Sequence, residues 1–209
     1  MTNQGAMMQS MFDIYKIGIG PSSSHTIGPM IASYRFIGEL KRRNLINQIG
    51  SIKVDLHGSL ALTGKGHMTD RAVLLGLAGA EPETVDLDSI PTIINQIQTT
   101  GQLKLGGIHN VNLIPKNDIN FISKRLPLHE NGLIIHAFSS PNYQNEIYSN
   151  TYYSVGGGFI HDAAHFNTPD GTKGPVPYPY HTAKELLKHC EDTGLSISRI
   201  VMKNECALH

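Results

Sequence analysis

The hydrophobic pattern of the chain changes at Gly101, and this change constrains the fold more than any other feature. Before Gly101, apolar spacing predicts one strand over 49–56 and helices over about 28–43, 69–80 and 89–100. After it, five short extended runs are separated by Gly, Pro and Asn, at 103–105, 111–114, 119–123, 133–139 and 146–155. Successive strands without intervening helices indicate an antiparallel or mixed sheet, so we expect an α+β fold.

The two ends of the chain are expected to differ from this central part. Residues 1–10 are mostly polar and predict a flexible N-terminus, and 11–165 form the predicted domain. Residues 166–180 are rich in Pro and Gly, which predicts a stiff linker with some polyproline II character. Two helical patterns, over 181–190 and 195–208, are too short to form a core and predict the first helices of a further domain.

Charge and cysteine content exclude several classes of protein. The 209 residues include 17 Lys and Arg and 17 Asp and Glu, so the formal net charge is zero. Nucleic-acid binders and polybasic membrane anchors usually carry a basic excess, so we expect neither nucleic acid nor a membrane as a partner.

The N-terminus lacks a basic and apolar leader, and no apolar run reaches about 20 residues, so a cytoplasmic protein is expected. Two cysteines are too few for a disulfide scaffold or a cluster held only by Cys.

The segment 18–26, GIGPSSSHT, lies between an extended run and a predicted helix. A helix start offers unpaired N–H groups and a partial positive charge, and the hydroxyls with His25 add further polar groups. This combination suits a carboxylate or a phosphate. A single hydroxyl acting only as a helix cap is the alternative.

A second glycine-rich segment, 58–67, follows the predicted strand. It is not a P-loop, because five residues separate Gly58 from Gly64 where four are required, and Gly66 follows Lys65. We predict a loop over 58–67 that places a cation and the imidazole of His67 in a cleft, or else a turn with a solvated Lys. Thr69 or Asp70 is expected to cap the helix that follows.

Two later motifs carry weaker signals. The three glycines at 156–158 permit close approach of a chain or ligand, or form a bulge, and they do not match a nicotinamide-binding pattern. His161 and His165 have the spacing of a zinc-protease motif, with Asp in place of Glu and little room for a helix. A zinc hydrolase is therefore a rival reading, and most of the other histidines are expected on the surface or in the core.

Together, segments 17–26 and 58–67 resemble the N-terminal β domain of the iron–sulfur-dependent bacterial L-serine dehydratases, or L-serine ammonia-lyases. The run FDIYK at 12–16 is similar to the single-chain type of this family. The loop at His129 departs from the family, because Glu130 occupies a position where proline is common. Further matching segments are 82–86, 129–132, 152–160, 183–187 and 204–205.

The resemblance implies a lyase that deaminates L-serine to pyruvate and ammonia without pyridoxal phosphate. A 4Fe–4S cluster would act as Lewis acid on the substrate hydroxyl. Its ligands would belong to a C-terminal catalytic domain absent from this chain, so no metal ligand is expected here and the chain alone should be inactive. The implied partners are L-serine, that catalytic domain and a second copy in a homodimer.

The resemblance also implies roles for individual residues. His25 and His67 would be active-site histidines, with His67 as the general base, because an imidazole titrates near neutrality. The remaining candidates are substrate-binding residues, with the hydroxyls of 22–26 for the carboxylate and Lys65 as a charge partner; they are Ser22, Ser23, Ser24, Thr26, Lys65, His129 and Ser154.

The β domain of this family in turn resembles the regulatory substrate-binding domain of some phosphoglycerate dehydrogenases. That likeness implies an α+β fold in which helices lie on one side of a mixed sheet. It also leaves an alternative function open, a regulatory module that binds serine or a small carboxylate without chemistry.

Overall fold

The computed structural model describes residues 10–14, 16–166 and 175–209. Its contacts divide the chain into two compact units, one of Lys16–Phe166 and one of Met1–Tyr15 with Asn167–His209. The predicted flexible N-terminus, apart from Ser10, and most of the predicted linker over 166–180 lie outside the described residues. Of the helices in the described part of the chain, none has both the length and the apolar content to cross a membrane.

The larger unit contains five helices and seven strands. The helices are α1 (Gly28–Arg42), α2 (Ser59–Thr63), α3 (Thr69–Leu77), α4 (Ile90–Thr100) and α5 (Pro115–Asp118). The strands are β1 (Ser51–Gly58), β2 (Gln102–Leu105), β3 (His109–Asn112), β4 (Ile119–Ile122), β5 (Asn131–Phe138), β6 (Glu146–Gly156) and β7 (Phe159–Asp162). A π-helical turn (Ser23–Ile27) leads into α1, and 3-10 turns lie at Ile46–Gln48 and Leu87–Ser89.

The strands form one mixed sheet in the order β2-β3-β1-β5-β6-β7, with β4 paired to β1. β5 runs antiparallel to β1 along its whole length. The other edge of β1 is shared by two parallel strands: β3 meets its beginning, where Ser51 lies opposite Asn112, and β4 meets its end, where His57 lies opposite Ile122. The predicted α+β fold with a mixed sheet is confirmed.

The core lies between one face of this sheet and the helices α1 and α3. Alternate residues of β1 are fully buried, whereas Lys53 and Asp55 on the other face are partly exposed, as expected for a sheet covered on one side. The residues buried in this layer include Ile52, Val54, Leu56, Met30, Phe36, Ile37, Leu40, Leu74, Leu133 and Ile135.

A buried carboxylate fixes α1 on the sheet. Glu39 is 8% exposed, and its Oε2 atom accepts hydrogen bonds from the hydroxyls of Tyr148 and Tyr152 at 2.8 Å each and from Asn150 Nδ2 at 2.9 Å. Burial, with the nearby charge of Glu39, raises the pKa of Tyr152 far above its ordinary value. All three donors come from β6, so the network sets the position of α1 along that strand.

The structure differs from the sequence prediction at several elements. Residues 11–14, in the run expected to be extended before residue 18, form a 3-10 turn. Residues 59–63 form helix α2, where a loop was expected, and α5 and β7 were not predicted. Helix α2 was not predicted, because Gly58 precedes it and Gly64 follows it, and glycines ordinarily indicate a loop. β7 has only four residues and directly follows the glycine turn at 156–158, so its pattern is too short to detect.

The smaller unit is organised by two consecutive residues of its last helix. Its described parts contain a 3-10 turn at Met11–Ile14 and the helices α6 (Ala183–Thr193) and α7 (Ile197–Leu208). Glu205 of α7 accepts hydrogen bonds from Ser10 Oγ at 2.6 Å and from the N–H of Met11 at 2.7 Å. The Asn204 side chain bonds the N–H and carbonyl of Tyr178 at 3.0 and 2.8 Å. These two residues therefore connect the segment at Ser10–Met11 and the segment at Tyr178 to α7.

Candidate active site

The fold brings His25 and His67 together. His25 lies in the π-helical turn before α1, and His67 lies in the loop between α2 and α3. Their ring centroids are 5.0 Å apart, and the ring planes are inclined by 41°. The two histidines singled out from the sequence thus form one constellation.

Both ring nitrogens of His25 have hydroxyl partners. Nδ1 lies 2.9 Å from Ser24 Oγ, and Nε2 lies 3.0 Å from Ser59 Oγ. Because a hydroxyl can donate or accept, either neutral tautomer is satisfied. Burial lowers the pKa of His25 and the neighbouring His67 lowers it further, while the hydrogen bond at Ser59 and the charge of Glu130 act in the opposite direction. His25 is therefore predominantly neutral at pH 7.

His67 has a defined proton position. Its Nδ1 atom lies 3.0 Å from the backbone carbonyl oxygen of Thr63, in the last turn of α2. A carbonyl oxygen only accepts, so Nδ1 carries the hydrogen and donates it. In the neutral ring the lone pair then resides on Nε2, which is the atom able to take up a proton.

Two buried threonines connect the segments that carry the histidines. Thr26 Oγ donates to the carbonyl oxygen of His67 at 2.7 Å, and Thr69 Oγ donates to the carbonyl oxygen of His25 at 2.6 Å. The prediction that residue 69 or 70 caps α3 is therefore wrong: the N-cap residue is Met68, and no side chain caps the helix. The hydroxyl of Thr26, predicted to bind substrate, is buried and engaged with the backbone.

The three serines of the segment have different environments. Ser22 Oγ accepts a hydrogen bond from the N–H of His25 at 3.1 Å, so Ser22 is the cap of the π-helical turn. Ser24 bonds the His25 ring, and Ser23 is exposed. Contact of these residues with a substrate carboxylate stays a prediction.

The other three predicted binding residues lie in separate surroundings. The ammonium of Lys65 lies 5.3 Å from the ring centroid of Phe121. Ser154 is fully buried against α1, and His129 Nδ1 accepts from the N–H of Asn131 at 3.1 Å. Among the described residues, no hydrogen bond or ring contact joins these three side chains to His25 or His67.

Sequence reasoning missed Ser59, which Gly58 brings into place. Gly58 has φ +57° and ψ −123°, a conformation open to glycine alone, and a Cβ atom there would lie 2.2 Å from the carbonyl oxygen of Glu130. That same carbonyl accepts from the N–H of Ser59 at 3.0 Å. The glycine after the strand was the available signal, because it permits the close approach that directs Ser59 to His25.

The zinc-protease pattern is not formed. His161 lies on strand β7 and not on a helix, so the side chains at 161 and 165 do not share a helix face. His165 Nδ1 lies 2.7 Å from Asp162 Oδ1. Within the described ranges, no group of three or more His, Cys, Asp or Glu side chains could hold a metal ion.

The cysteine content of the chain does not fit an iron–sulfur cluster either. A 4Fe–4S cluster takes four cysteine thiolates, and the chain has two cysteines, Cys190 on α6 and Cys206 on α7. The residues described here therefore do not hold such a cluster.

Comparison with known proteins agrees with the motifs of the site. Residues 10–165 match the family profile described as serine dehydratase beta chain. The chain is 52% identical over 203 residues to L-serine dehydratase 2 of Escherichia coli K12 and 49% identical to L-serine dehydratase 1 of the same organism. An L-serine dehydratase of Streptomyces coelicolor is 42% identical over 206 residues.

These alignments cover 97%, 97% and 96% of the chain, respectively, but only 44% of each relative, so the chain spans less than half of their length. On the profile match and these identities, the chain belongs to the serine dehydratase β-chain family.

Proposed function

We propose that this chain is the β domain of an L-serine dehydratase, an ammonia-lyase that converts L-serine to pyruvate and ammonia. Family membership supports the reaction class. The observation that carries the proposal is the histidine pair: the ring centroids of His25 and His67 are 5.0 Å apart, and His67 donates from Nδ1 to the carbonyl oxygen of Thr63.

In the proposed reaction His67 is the general base. Its Nε2 lone pair takes the α-proton of L-serine, and the β-hydroxyl leaves as water, which gives aminoacrylate. Addition of water to the corresponding imine and loss of ammonia then yield pyruvate. His25 has hydroxyls on both ring nitrogens and can relay the proton that the departing hydroxyl needs.

The start of the π-helical turn is proposed to hold the substrate carboxylate. The hydroxyls of Ser22 and Thr26 are already engaged with the backbone. The exposed Ser23 and the N–H groups that precede the first hydrogen bond of the turn suit a carboxylate. This placement would set the α-carbon near the histidine pair and would supply the orientation that proton abstraction requires.

The remaining parts of the enzyme are proposed to come from outside the described residues. A 4Fe–4S cluster, if it is the cofactor, would be ligated by the part of the longer relatives that this chain does not span, because the donor set here does not fit it. That part, L-serine and a second copy of the protein are the proposed partners, in the cytoplasm, and the chain alone would be inactive.

Reconstitution tests whether cluster binding and activity need the part of the longer relatives that this chain does not span. The chain alone, treated anaerobically with iron and sulfide, should bind no stoichiometric cluster and form no pyruvate from L-serine. A fusion in which this chain replaces the matching 44% of E. coli L-serine dehydratase 2 should turn L-serine over. A stoichiometric cluster with turnover in the chain alone would contradict the proposal.

Calorimetric titration separates catalysis from a purely regulatory role. Stereoselective binding of L-serine over D-serine by the chain alone, combined with normal turnover of a His67→Ala fusion, would favour a regulatory module. Lost turnover in that fusion supports the catalytic assignment.

A further inference from the structure

The two threonine hydrogen bonds at the active site are reciprocal. Thr26, directly after His25, donates to the carbonyl oxygen of His67 at 2.7 Å. Thr69, two residues after His67, donates to the carbonyl oxygen of His25 at 2.6 Å. Each histidine segment therefore gives one bond and receives one. We call this pair of hydrogen bonds the threonine bridge.

Both hydroxyls of the bridge are shielded from water. Thr26 is 2% exposed and Thr69 is fully buried. Gly64 packs closely against Thr69, because a Cβ atom at Gly64 would lie 3.0 Å from Thr69 Oγ and the N–H of Thr69 donates to the carbonyl oxygen of Gly64 at 2.9 Å. A buried hydroxyl that loses its acceptor is costly, so breaking either bond should destabilise the folded domain.

The bridge acts on a strained piece of backbone. Met68 has φ 58° and ψ 31°, a left-handed conformation that is unfavourable for a residue with a side chain. It stands between His67, whose carbonyl the bridge holds, and Thr69, whose hydroxyl the bridge uses. The turn that aims the His67 ring at His25 is thus held on both sides of the strained residue.

We propose that Thr26 and Thr69 are positioning residues, whose hydroxyls lock the two histidine segments together and hold both imidazole rings in place beside the proposed substrate position. This inference rests on the proposed roles of His25 and His67. Neither threonine needs to touch the substrate, because each acts through the backbone of a histidine.

Matched substitutions separate the hydroxyl from the rest of the side chain. Valine keeps the shape of threonine and removes the donor, whereas serine keeps the donor and removes a methyl group. Thr26→Val and Thr69→Val test the bridge, and Thr26→Ser and Thr69→Ser are the matched controls.

NMR titration of the imidazole signals gives a readout that does not depend on activity. In the wild-type chain the His25 pKa is lowered by burial and by the adjacent His67, against the opposing charge of Glu130. Once the bridge is cut, the rings separate and the site opens, so the His25 titration should move toward the ordinary value near 6.5 in both valine variants. The serine variants should titrate like the wild type.

Kinetics of the fusion with the rest of E. coli L-serine dehydratase 2 give the second readout. A misplacement of about 1 Å can cost about 10²-fold in rate, so each valine variant should lose roughly 10- to 100-fold in kcat with little change in KM. The serine variants should recover most of that loss.

The possible outcomes differ. Valine variants that unfold more easily but keep wild-type titration and kcat would show a structural role only and would overturn the proposal. Equal losses in serine and valine variants would overturn it as well, as would failure of both valine variants to fold while the serine variants fold. If His67→Ala leaves turnover intact, the proposed function fails, while the NMR titrations still report on the bridge.

Discussion

The Nδ1 atom of His67 lies 3.0 Å from the backbone carbonyl oxygen of Thr63, and this relationship determines which nitrogen can act as a base. Because a backbone carbonyl cannot be removed by substitution, the proton position is built into the path of the chain. The short helix α2 supplies that carbonyl, so an element of five residues orients the proposed base.

Substitution of His67 tests its role as the base. In the enzyme assembled with the remaining part of a longer relative, His67→Ala should lower turnover of L-serine by about 10²- to 10⁴-fold. His136→Ala is a matched control, because His136 lies beside Lys53 on the sheet face away from the core helices, with its Nδ1 atom 2.7 Å from Glu146 Oε2. A His67→Ala variant with near-normal turnover would show that another group removes the proton.

Acid should destabilise the fold through His25. Its pKa in the folded chain is below the ordinary value of about 6.5, so protonation favours the unfolded chain. The contribution of neutral His25 to the free energy of unfolding is complete above about pH 6.5 and is lost as the pH falls through the lowered pKa. Urea unfolding between about pH 5 and 7.5 should therefore show a shallower pH dependence for His25→Gln than for the wild type, and identical slopes would contradict the shift.

Gly28 and Ser154 should be energetically coupled. A Cβ atom at Gly28 would lie 2.1 Å from Ser154 Oγ and 2.9 Å from its Cβ, so Gly28→Ala should cost about 1–3 kcal/mol by overpacking. Ser154→Gly removes both clashing atoms, so the double variant should lose less free energy of unfolding than the sum of the single variants. Urea titration of all four proteins measures the coupling, and additive losses would rule out the clash as the cause.

Loss of the Glu39 carboxylate should destabilise the domain. Glu39→Ala leaves the hydroxyls of Tyr148 and Tyr152 and the amide of Asn150 without their acceptor. Tyr152 is buried, so its stranded hydroxyl costs about 1–3 kcal/mol, whereas the partly buried Tyr148 and Asn150 cost less. Because water can reach Tyr148 and Asn150 in place of the carboxylate, we expect a total loss of about 2–4 kcal/mol. The exposed Glu83 provides the control: Glu83→Ala should change stability by less than about 0.5 kcal/mol, and a similar loss in both variants would exclude the network as the reason.

Much of the fold could be predicted from local patterns. The apolar spacing predicted a helix over 28–43, and α1 spans Gly28–Arg42 because the apolar side chains at that spacing are buried. The five extended runs likewise correspond to β2, β3, β4, β5 and β6 within a few residues. Parallel pairing of β1 with β3 and β4 was not predictable, since strand order depends on contacts between distant segments.

The candidate site was predictable only in part. His25 and His67 stood in distinctive segments, so their side chains could be named in advance. Ser59 and Thr69 could not be assigned, because their roles depend on contacts with the distant His25. A threonine before a helical pattern ordinarily indicates a cap, and only the tertiary structure shows that the hydroxyl of Thr69 has another acceptor.

The pairing of β1 with β3, β4 and β5, which all come later in the chain, also has a consequence for how the chain folds during synthesis. β1 ends at Gly58, but the strands that pair with it begin at His109, Ile119 and Asn131. The central strand therefore leaves the ribosome long before any of its partners exist, and its apolar residues must wait for contacts that are distant in sequence. Such non-local pairing slows folding and exposes an unpaired edge, so we expect nascent chains that stop short of β5 to be the most prone to aggregation.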